Sequence, residues 1–430
     1  MVQCPRSVEL LASLGGIVVM FALGLVTGVD VWTVSVEVLS TPFVLVFFEG
    51  TVSVAIFTLV VTVTGLVVVY DVWGGTDTEA VHEGPEVCAV VPVYRDAEVL
   101  DVSVGSLLES EYENLSVAVV TEPDDPETQR RARELAEEHD EVDVLVNGEP
   151  GSKGTAINHA VGESDADYFA VFDADERVSP EFVPGAMGEL LDGADVFQGR
   201  RVPRAIGPVE TLAYCERLVV HAGYAFGELF GFTNCLSAST LFTREAFETV
   251  GGYDDNLTED IEFAHACNNA DLSIVHDRSV TNSMEAPHTY RDLWGQRKRW
   301  RIGHVQVFQS RVRELFDGDV RLGELNSVGR ASGAIMGGAL LLVVMAHIAV
   351  LVSQSVEGAA FASAPFGVLF VVLAAVWAKD ARDGRIGLPS WTVVFAPTVY
   401  LLHGALTVKS LTEYYLTWEG EWYQVAKTGS

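Results

Sequence analysis

The run VCAVVPVY, residues 87–94, carries no charged side chain, which is the pattern of a strand buried on both faces of a sheet. The segments after it decide the fold. SVGSLLES reads as a helix and LSVAVVT (115–121) as a second strand. DPETQRRARELAEEHD then reads as a helix with Asp125 as N-cap, Pro126 at the first helical position and acids in the opening turn. VDVLVN (142–147), GSKGTAINHAVG (151–162) and DYFAVFDAD (167–175) continue the alternation. Strand and helix at this spacing predict an α/β domain, a mostly parallel, Rossmann-like sheet with helices on both faces. Ligands of such sheets bind beyond the carboxyl ends of the strands.

Outward from that domain the chain turns apolar. Residues 8–29 and 51–70 each approach the roughly 20 residues that span a bilayer. The first is read as a span and not a cleaved signal, because Glu9 sits beside the single early base Arg6, no A-x-A site comes after it and more apolar sequence does. Residues 31–48, with Glu37 among them, fit an extracytoplasmic segment, an interfacial piece or a short third span. About two spans are therefore expected in 1–70, a linker over 71–86 and the soluble domain over 87–330. Residues 331–353, 361–378 and 391–408 predict about three more spans, with Gly333, Gly337 and Gly338 suited to close helix packing, and 409–430 form a tail. Arg311, Arg313, Arg321 and Arg330, with Lys379, Arg382 and Arg385, place the domain in the cytoplasm of a multi-pass cell-membrane protein.

Composition narrows the function. Sixty acids against 27 bases leave a net charge of -33 over 430 residues, an acidic, lysine-poor surface expected of a salt-adapted (halophilic) organism. That field excludes nucleic acid as a partner, since the one basic cluster is too local. The five cysteines form no CxxC pair, so buried free thiols are expected instead of disulfides or zinc.

Three short motifs carry chemistry. DAD (173–175) ends a strand and offers paired carboxylates to a hard divalent cation, or merely caps the helix entered at SPEF (179–182). TED (258–260) opens a helical stretch, where the helix dipole alone favours acids. GQRKRWRIG (295–303), if helical, sets Gln296, Arg299 and Trp300 on one face. Arg297, Lys298 and Arg301 fall on the other, expected against lipid headgroups or acidic protein surface.

Taken in order, Pro92-x-Tyr94-x-Asp96, Lys153-Gly154-x-x-x-Asn158, DAD, TED and Gln296-x-x-Arg299-Trp300 resemble the family-2 glycosyltransferases. The similarity is to the membrane branch with cellulose, chitin and hyaluronan synthases, over residues 87 to about 303. The resemblance implies a nucleotide-diphospho-sugar transferase domain between transmembrane segments. It also implies an inverting enzyme that uses Mg²⁺ or Mn²⁺ and moves a sugar, UDP-linked, to a growing polysaccharide. Single addition to a lipid or polyprenyl acceptor is the close alternative, and a non-catalytic membrane protein that keeps the fold is the alternative of another class.

The same resemblance assigns roles. Asp175 and Asp173 hold the metal, Asp260 is the general base, and Tyr94, Asp96 and Lys153 meet the donor nucleotide. Glu259, Gln296, Arg299 and Trp300 meet the acceptor or the diphosphate. Where relatives carry an Asp-Asp pair this chain reads TEPDD, so Glu122 or Asp124 takes the nucleotide contact and Asp125 is the helix cap. The acceptor loop reads SAST (237–240) in place of a glycine-containing one. Arg200 and Arg201 fit either a sugar or phosphate contact or an exposed ion pair, and His347 and His403 fit neutral histidines bonded to a neighbouring helix. Trp422 and Lys427 in the tail receive no role, and no oligomeric state is implied.

Overall fold

A computed structural model describes residues 5–29, 32–38, 41–47, 49–75, 78–317, 322–420 and 427–428. Helix α1 (Arg6–Thr27), strands β1 (Trp32–Val38) and β2 (Thr41–Phe47), and helix α2 (Gly50–Gly74) precede the domain. β1 and β2 pair antiparallel from Trp32↔Phe47 to Val38↔Thr41, between the first two apolar helices.

The domain then runs through β3 (Val87–Val93), α3 (Leu100–Leu108), β4 (Leu115–Thr121), α4 (Pro126–Glu138), β5 (Val142–Val146), α5 (Lys153–Glu163), β6 (Tyr168–Val171) and α6 (Phe182–Leu191). It is completed by β7 (Val196–Pro203), α7 (Pro208–Leu229), β8 (Thr240–Thr243), α8 (Arg244–Val250), α9 (Glu259–Asn269) and β9 (Ile274–Met284). The seven strands run in the order β5-β4-β3-β6-β8-β7-β9, with β8 antiparallel to both its neighbours and the remaining pairs parallel. Period-two alternation sorts β3 between two cores. Val87, Ala89, Val91 and Val93 pack with α3, α4 and α6 on one face, while Cys88 and Val90 pack with α5, α8 and α9 on the other. Asp125 caps α4 by accepting the Thr128 N–H at 3.3 Å, as its sequence position predicts. The four described cysteines are buried free thiols.

Helix α10 (Tyr290–Asp317) leaves the domain and leads to α11 (Leu322–Gln354), α12 (Val356–Ala362), α13 (Ala364–Arg382) and α14 (Thr398–Leu416). Among the described residues four helical stretches are long and apolar enough to cross a membrane: Arg6–Thr27, Gly50–Gly74, Ser327–Gln354 and Val356–Arg382. The segment 391–408 is divided into a 3₁₀ turn over Trp391–Phe395 and the first half of α14. His347 meets the Thr27 hydroxyl at 3.0 Å and ties α11 to α1, the bond to a neighbouring helix expected of it. The glycines of α11 divide. Gly338 abuts Thr407 of α14, whereas Gly333 and Gly337 face open space, so the expectation that all three serve close packing fails for those two.

Candidate active site

β6 ends at Val171, and its chain carries Asp173, Ala174 and Asp175 past the sheet edge beside the ends of β3 and β4. Asp173 lies between two cations, Lys153 at the start of α5 and Arg201 of β7, and forms a close ion pair with each. Burial works to raise the Asp173 carboxyl, but Arg201 and Lys153 outweigh it and hold the group well below the usual carboxylate range. Asp175 has a different neighbour. The Lys427 ammonium, brought in by the C-terminal tail, stands 3.3 Å from Asp175 and 2.8 Å from Asp96. Burial alone would lower the Lys427 pKa; Asp175, Asp96 and Asp173 outweigh it and hold the ammonium well above its ordinary value. Thr428 fixes this end of the tail, its N–H donating to Glu285 at 2.6 Å. Trp422 lies outside the described residues.

These carboxylates fit a hard divalent ion. A cationic group already bridges Asp96 and Asp175, which marks the place where positive charge is stabilised. Asp173 is engaged by Lys153 and Arg201, so Asp175 offers the less committed oxygens. Capping does not account for the motif, because α6 begins at Phe182 without a side-chain cap.

Glu176 has no place in the sequence pattern, yet it sits under the motif. It accepts the Asp173 N–H at 3.1 Å and the Asn282 amide at 3.3 Å, takes a close bond from the Ser239 hydroxyl, and lies 3.7 Å from Arg201 Nε. Burial pushes its carboxyl up to about 7 against the pull of Arg201.

On the β3–β4 side, the Tyr94 hydroxyl donates to Asp124 at 3.1 Å, and the Arg95 N–H donates to Asp125 at 2.5 Å with Arg95 at φ +56°. Glu122 accepts from the Asn147 amide at 2.8 Å. Glu122 and Asp124 both line the cavity, while Asp125 is committed to its cap. Burial raises the Asp96 carboxyl, and Lys427 counters that rise in part.

α9 begins at the TED segment. Glu259 accepts from the Ser237 hydroxyl at 2.7 Å, which brings the SAST loop against it. Asp260 accepts the Ile261 N–H at 2.8 Å, and burial pushes its carboxyl up, with that bond, Lys153, Arg217 and Arg299 pulling the other way. α10 comes close here through Gly303, where a Cβ would collide with Thr258. Trp300 lies beneath two guanidinium groups, Arg297 at 4.1 Å and Arg217 at 5.5 Å from the ring centroid. Gln296 takes a close bond from Arg297.

Of the two settings expected for Arg297, Lys298 and Arg301, lipid headgroups or acidic protein surface, the second is the one found, with His403 as a polar partner beside the acids. Arg297 donates to Glu216 at 2.8 and 2.5 Å, Lys298 to Glu413 at 2.8 Å, and Arg301 to His403 at 2.7 Å. Arg297 also bonds Gln296 and covers Trp300, so the two predicted faces are not independent. Nor are Arg200 and Arg201 exposed. Both are buried, Arg200 against Asp380 of α13 at 3.0 Å and Arg201 against Asp173.

Tyr94, Asp96, Glu122, Asp124, Lys153, Asp173, Asp175, Glu259, Asp260, Gln296, Arg299 and Trp300 line one continuous cavity of about 1460 Å³. That exceeds the roughly 300–1,000 Å³ of a typical small-ligand pocket. Its floor is polar and charged. Beyond Arg217 and Trp300 it continues between α2, α11 and α13, past Phe57, Val61 and Leu369.

Residues 88–251 match the family described as Glycosyl transferase family 2. A probable glycosyltransferase, YdaM, of Bacillus subtilis is 25% identical over 250 residues, 55% of this chain and 60% of that one. The poly-beta-1,6-N-acetyl-D-glucosamine synthase of Staphylococcus epidermidis is 25% identical over 224 residues, 50% of this chain and 53% of that one. The chain thus spans little more than half the length of these curated relatives. Among solved structures, mannosyltransferase PcManGT from Pyrobaculum calidifontis, in complex with GDP-Man and Mn²⁺, superposes with a TM-score of 0.53 at 18% identity, over 84% of this chain and 99% of that one. That likeness is one of fold, the nucleotide-sugar transferase architecture flanked by apolar helices.

Proposed function

With residues 88–251 a glycosyl transferase family 2 domain, we propose that the chain is an inverting, metal-dependent transferase that moves a sugar from a nucleotide-diphosphate donor, UDP-linked, to a growing polysaccharide at the membrane. The observation that carries this reading is the shared cavity, in which the half-buried Asp260 faces the same space as Asp173, Asp175 and Asp96. The polymer is inferred from the staphylococcal relative, named for poly-N-acetylglucosamine synthesis. The catalytic domain lies in the cytoplasm, where the donor is available.

Asp175, with Asp173 and Asp96, would hold Mg²⁺ or Mn²⁺. The bound ion supplies charge neutralisation at the diphosphate, which makes it a better leaving group. The chain's own groups do the rest. Tyr94 and either Glu122 or Asp124 receive the nucleotide, and Lys153 and Arg201 keep Asp173 ionised and in place. Asp260 takes the proton from the acceptor hydroxyl as that oxygen forms its bond to the anomeric carbon. On the opposite face the bond from that carbon to the diphosphate oxygen breaks, and the electron pair leaves with the diphosphate. One displacement inverts the configuration. Glu259, Gln296, Arg299 and Trp300 flank the acceptor, Trp300 offering a flat ring for a sugar.

The test is transfer of labelled sugar by the purified full-length protein from a set of UDP-sugars and GDP-mannose, with Mn²⁺ or Mg²⁺. A metal-dependent product lost in Asp175→Asn supports the reading. Failure of wild-type protein to bind or turn over any donor with either metal rejects it.

A further inference from the structure

The SAST loop (237–240) carries two serine hydroxyls that go opposite ways. Ser237 donates to Glu259 at 2.7 Å, beside the proposed base, and Ser239 donates to Glu176, the residue that follows DAD. All four side chains are buried. Ser237 and Glu259 border the cavity, whereas Glu176 and Ser239 lie outside its lining.

Glu176 uses its two oxygens on two different loops. Oε2 accepts the Asp173 N–H at 3.1 Å and so holds the DAD turn; Oε1 takes the Ser239 hydroxyl and, at 3.3 Å, the Asn282 amide. Asn282 of β9 closes the group by donating to Ser239 Oγ at 3.0 Å and accepting the Ser179 N–H at 2.9 Å. Ser239 meets these partners with φ at +50°, a left-handed backbone that L side chains enter at a cost. Glycine would enter it freely, so what the serine adds is the hydroxyl that reaches Glu176. The loop backbone has support of its own. Gln198 of β7 accepts the Leu236 N–H at 2.5 Å and donates to the carbonyls of Ala238 and Ser239 at 3.2 and 3.1 Å. The Ser239 hydroxyl is left to make the link to the metal turn.

These contacts form one line through the DAD turn, Glu176, Ser239, Ser237, Glu259 and Asp260. In the displacement the diphosphate and the base act on opposite faces of the anomeric carbon, and an error of about 1 Å in such a placement can cost about 10²-fold in rate. We propose that Glu176 and Ser239 are positioning residues that fix the DAD turn at a set distance from Asp260, with Ser237 and Glu259 completing the tie. This rests on the transferase reading above and adds to it two residues that stand behind the donor and acceptor contacts.

The experiment measures kcat and donor KM for the donor that wild-type protein turns over fastest among UDP-sugars and GDP-mannose, beside affinity for UDP with Mn²⁺, all in the full-length protein. Ser239→Gly removes the hydroxyl and suits the backbone. It is expected to lower kcat about 10- to 100-fold, with KM and UDP–Mn²⁺ affinity within about threefold of wild type. Ser237→Ala cuts the other end of the same tie, so the double variant should fall within about threefold of the slower single one. Glu176→Gln can still accept the Asp173 N–H through its carbonyl and donate to Ser239 Oγ through its amide, and should keep most of the rate that Glu176→Ala loses. Melting temperature verifies folding; where Ser239→Gly does not fold, Ser237→Ala carries the same comparison of kcat with KM. Unchanged kcat in a folded variant, with wild-type protein active, overturns the inference. So does UDP–Mn²⁺ binding that weakens in step with kcat, which would make the pair a support of the metal site alone, and so do losses that multiply in the double variant. Wild-type protein that neither binds UDP with Mn²⁺ nor transfers sugar rejects the transferase reading itself.

Discussion

Arg200 and Arg201 are neighbours on β7 and point to opposite sides of it, and the two sides use charge differently. Arg200 meets Asp380, fully buried on α13, in a two-point pair that also takes the Tyr214 hydroxyl at 2.6 Å. That contact fastens the sheet to the apolar helices. Arg201 meets Asp173, which it shares with Lys153, in a space that also holds Asp175, Asp96 and the Lys427 ammonium. At the junction each buried charge has a settled partner; at the sheet edge partners are shared and one cation comes from a tail. The first arrangement resists change. The second can exchange one cation for another, which a metal and diphosphate site requires.

Breaking the junction should cost the most stability. Asp380→Ala leaves Arg200 buried and unpaired, so a loss of about 3–5 kcal/mol is expected in chemical unfolding of the detergent-solubilised protein. A loss below about 1 kcal/mol would remove the contrast between the regions.

Glu176 tests the sheet edge through pH. Its folded pKa of about 7 lies above the ordinary carboxylate value of 4.5, so its contribution to stability is complete below about pH 4.5 and fades as pH rises through about 7. Up to about 3 kcal/mol is at stake across that window. Melting temperatures between about pH 5 and 8 should fall more steeply with pH for the native chain than for Glu176→Gln.

Exchange of cations predicts a gain on removing the tail amine. If Lys427 holds the carboxylates nine-tenths of the time, Lys427→Met lowers the half-saturating Mn²⁺ concentration for UDP binding by on the order of tenfold. A rise would mean that Lys427 helps to hold the nucleotide instead. The smallest effect belongs to Lys298→Ala, whose partner Glu413 is also bonded to Lys409 at 2.6 Å. A partly exposed pair of this kind contributes at most about 1 kcal/mol, read from the shift in urea midpoint.

The sheet was legible in the sequence because its strands are buried on both faces and its helices carry local start signals such as Asp125-Pro126. The DAD, TED and QxxRW residues were legible through their order along the chain, and all three motifs border one cavity. Glu176 was not, since nothing local distinguishes a buried glutamate; its place depends on contacts far along the chain. The same reason left open, for Arg297 and Arg301, whether headgroups or protein surface would meet them. Their partners, Glu216 and His403, lie 81 and 102 residues away. Gly333 and Gly337 misled because small residues allow a helix to approach and equally leave a slot empty.

The central claim is that Asp260 removes the acceptor proton while other residues bind the donor. Turnover of the labelled donor and affinity for UDP with Mn²⁺ should be measured side by side in wild-type protein and Asp260→Asn. The account predicts turnover lower by about 10²–10⁴ with UDP affinity within about threefold of wild type. Full turnover in Asp260→Asn would contradict it, as would parallel loss of nucleotide binding.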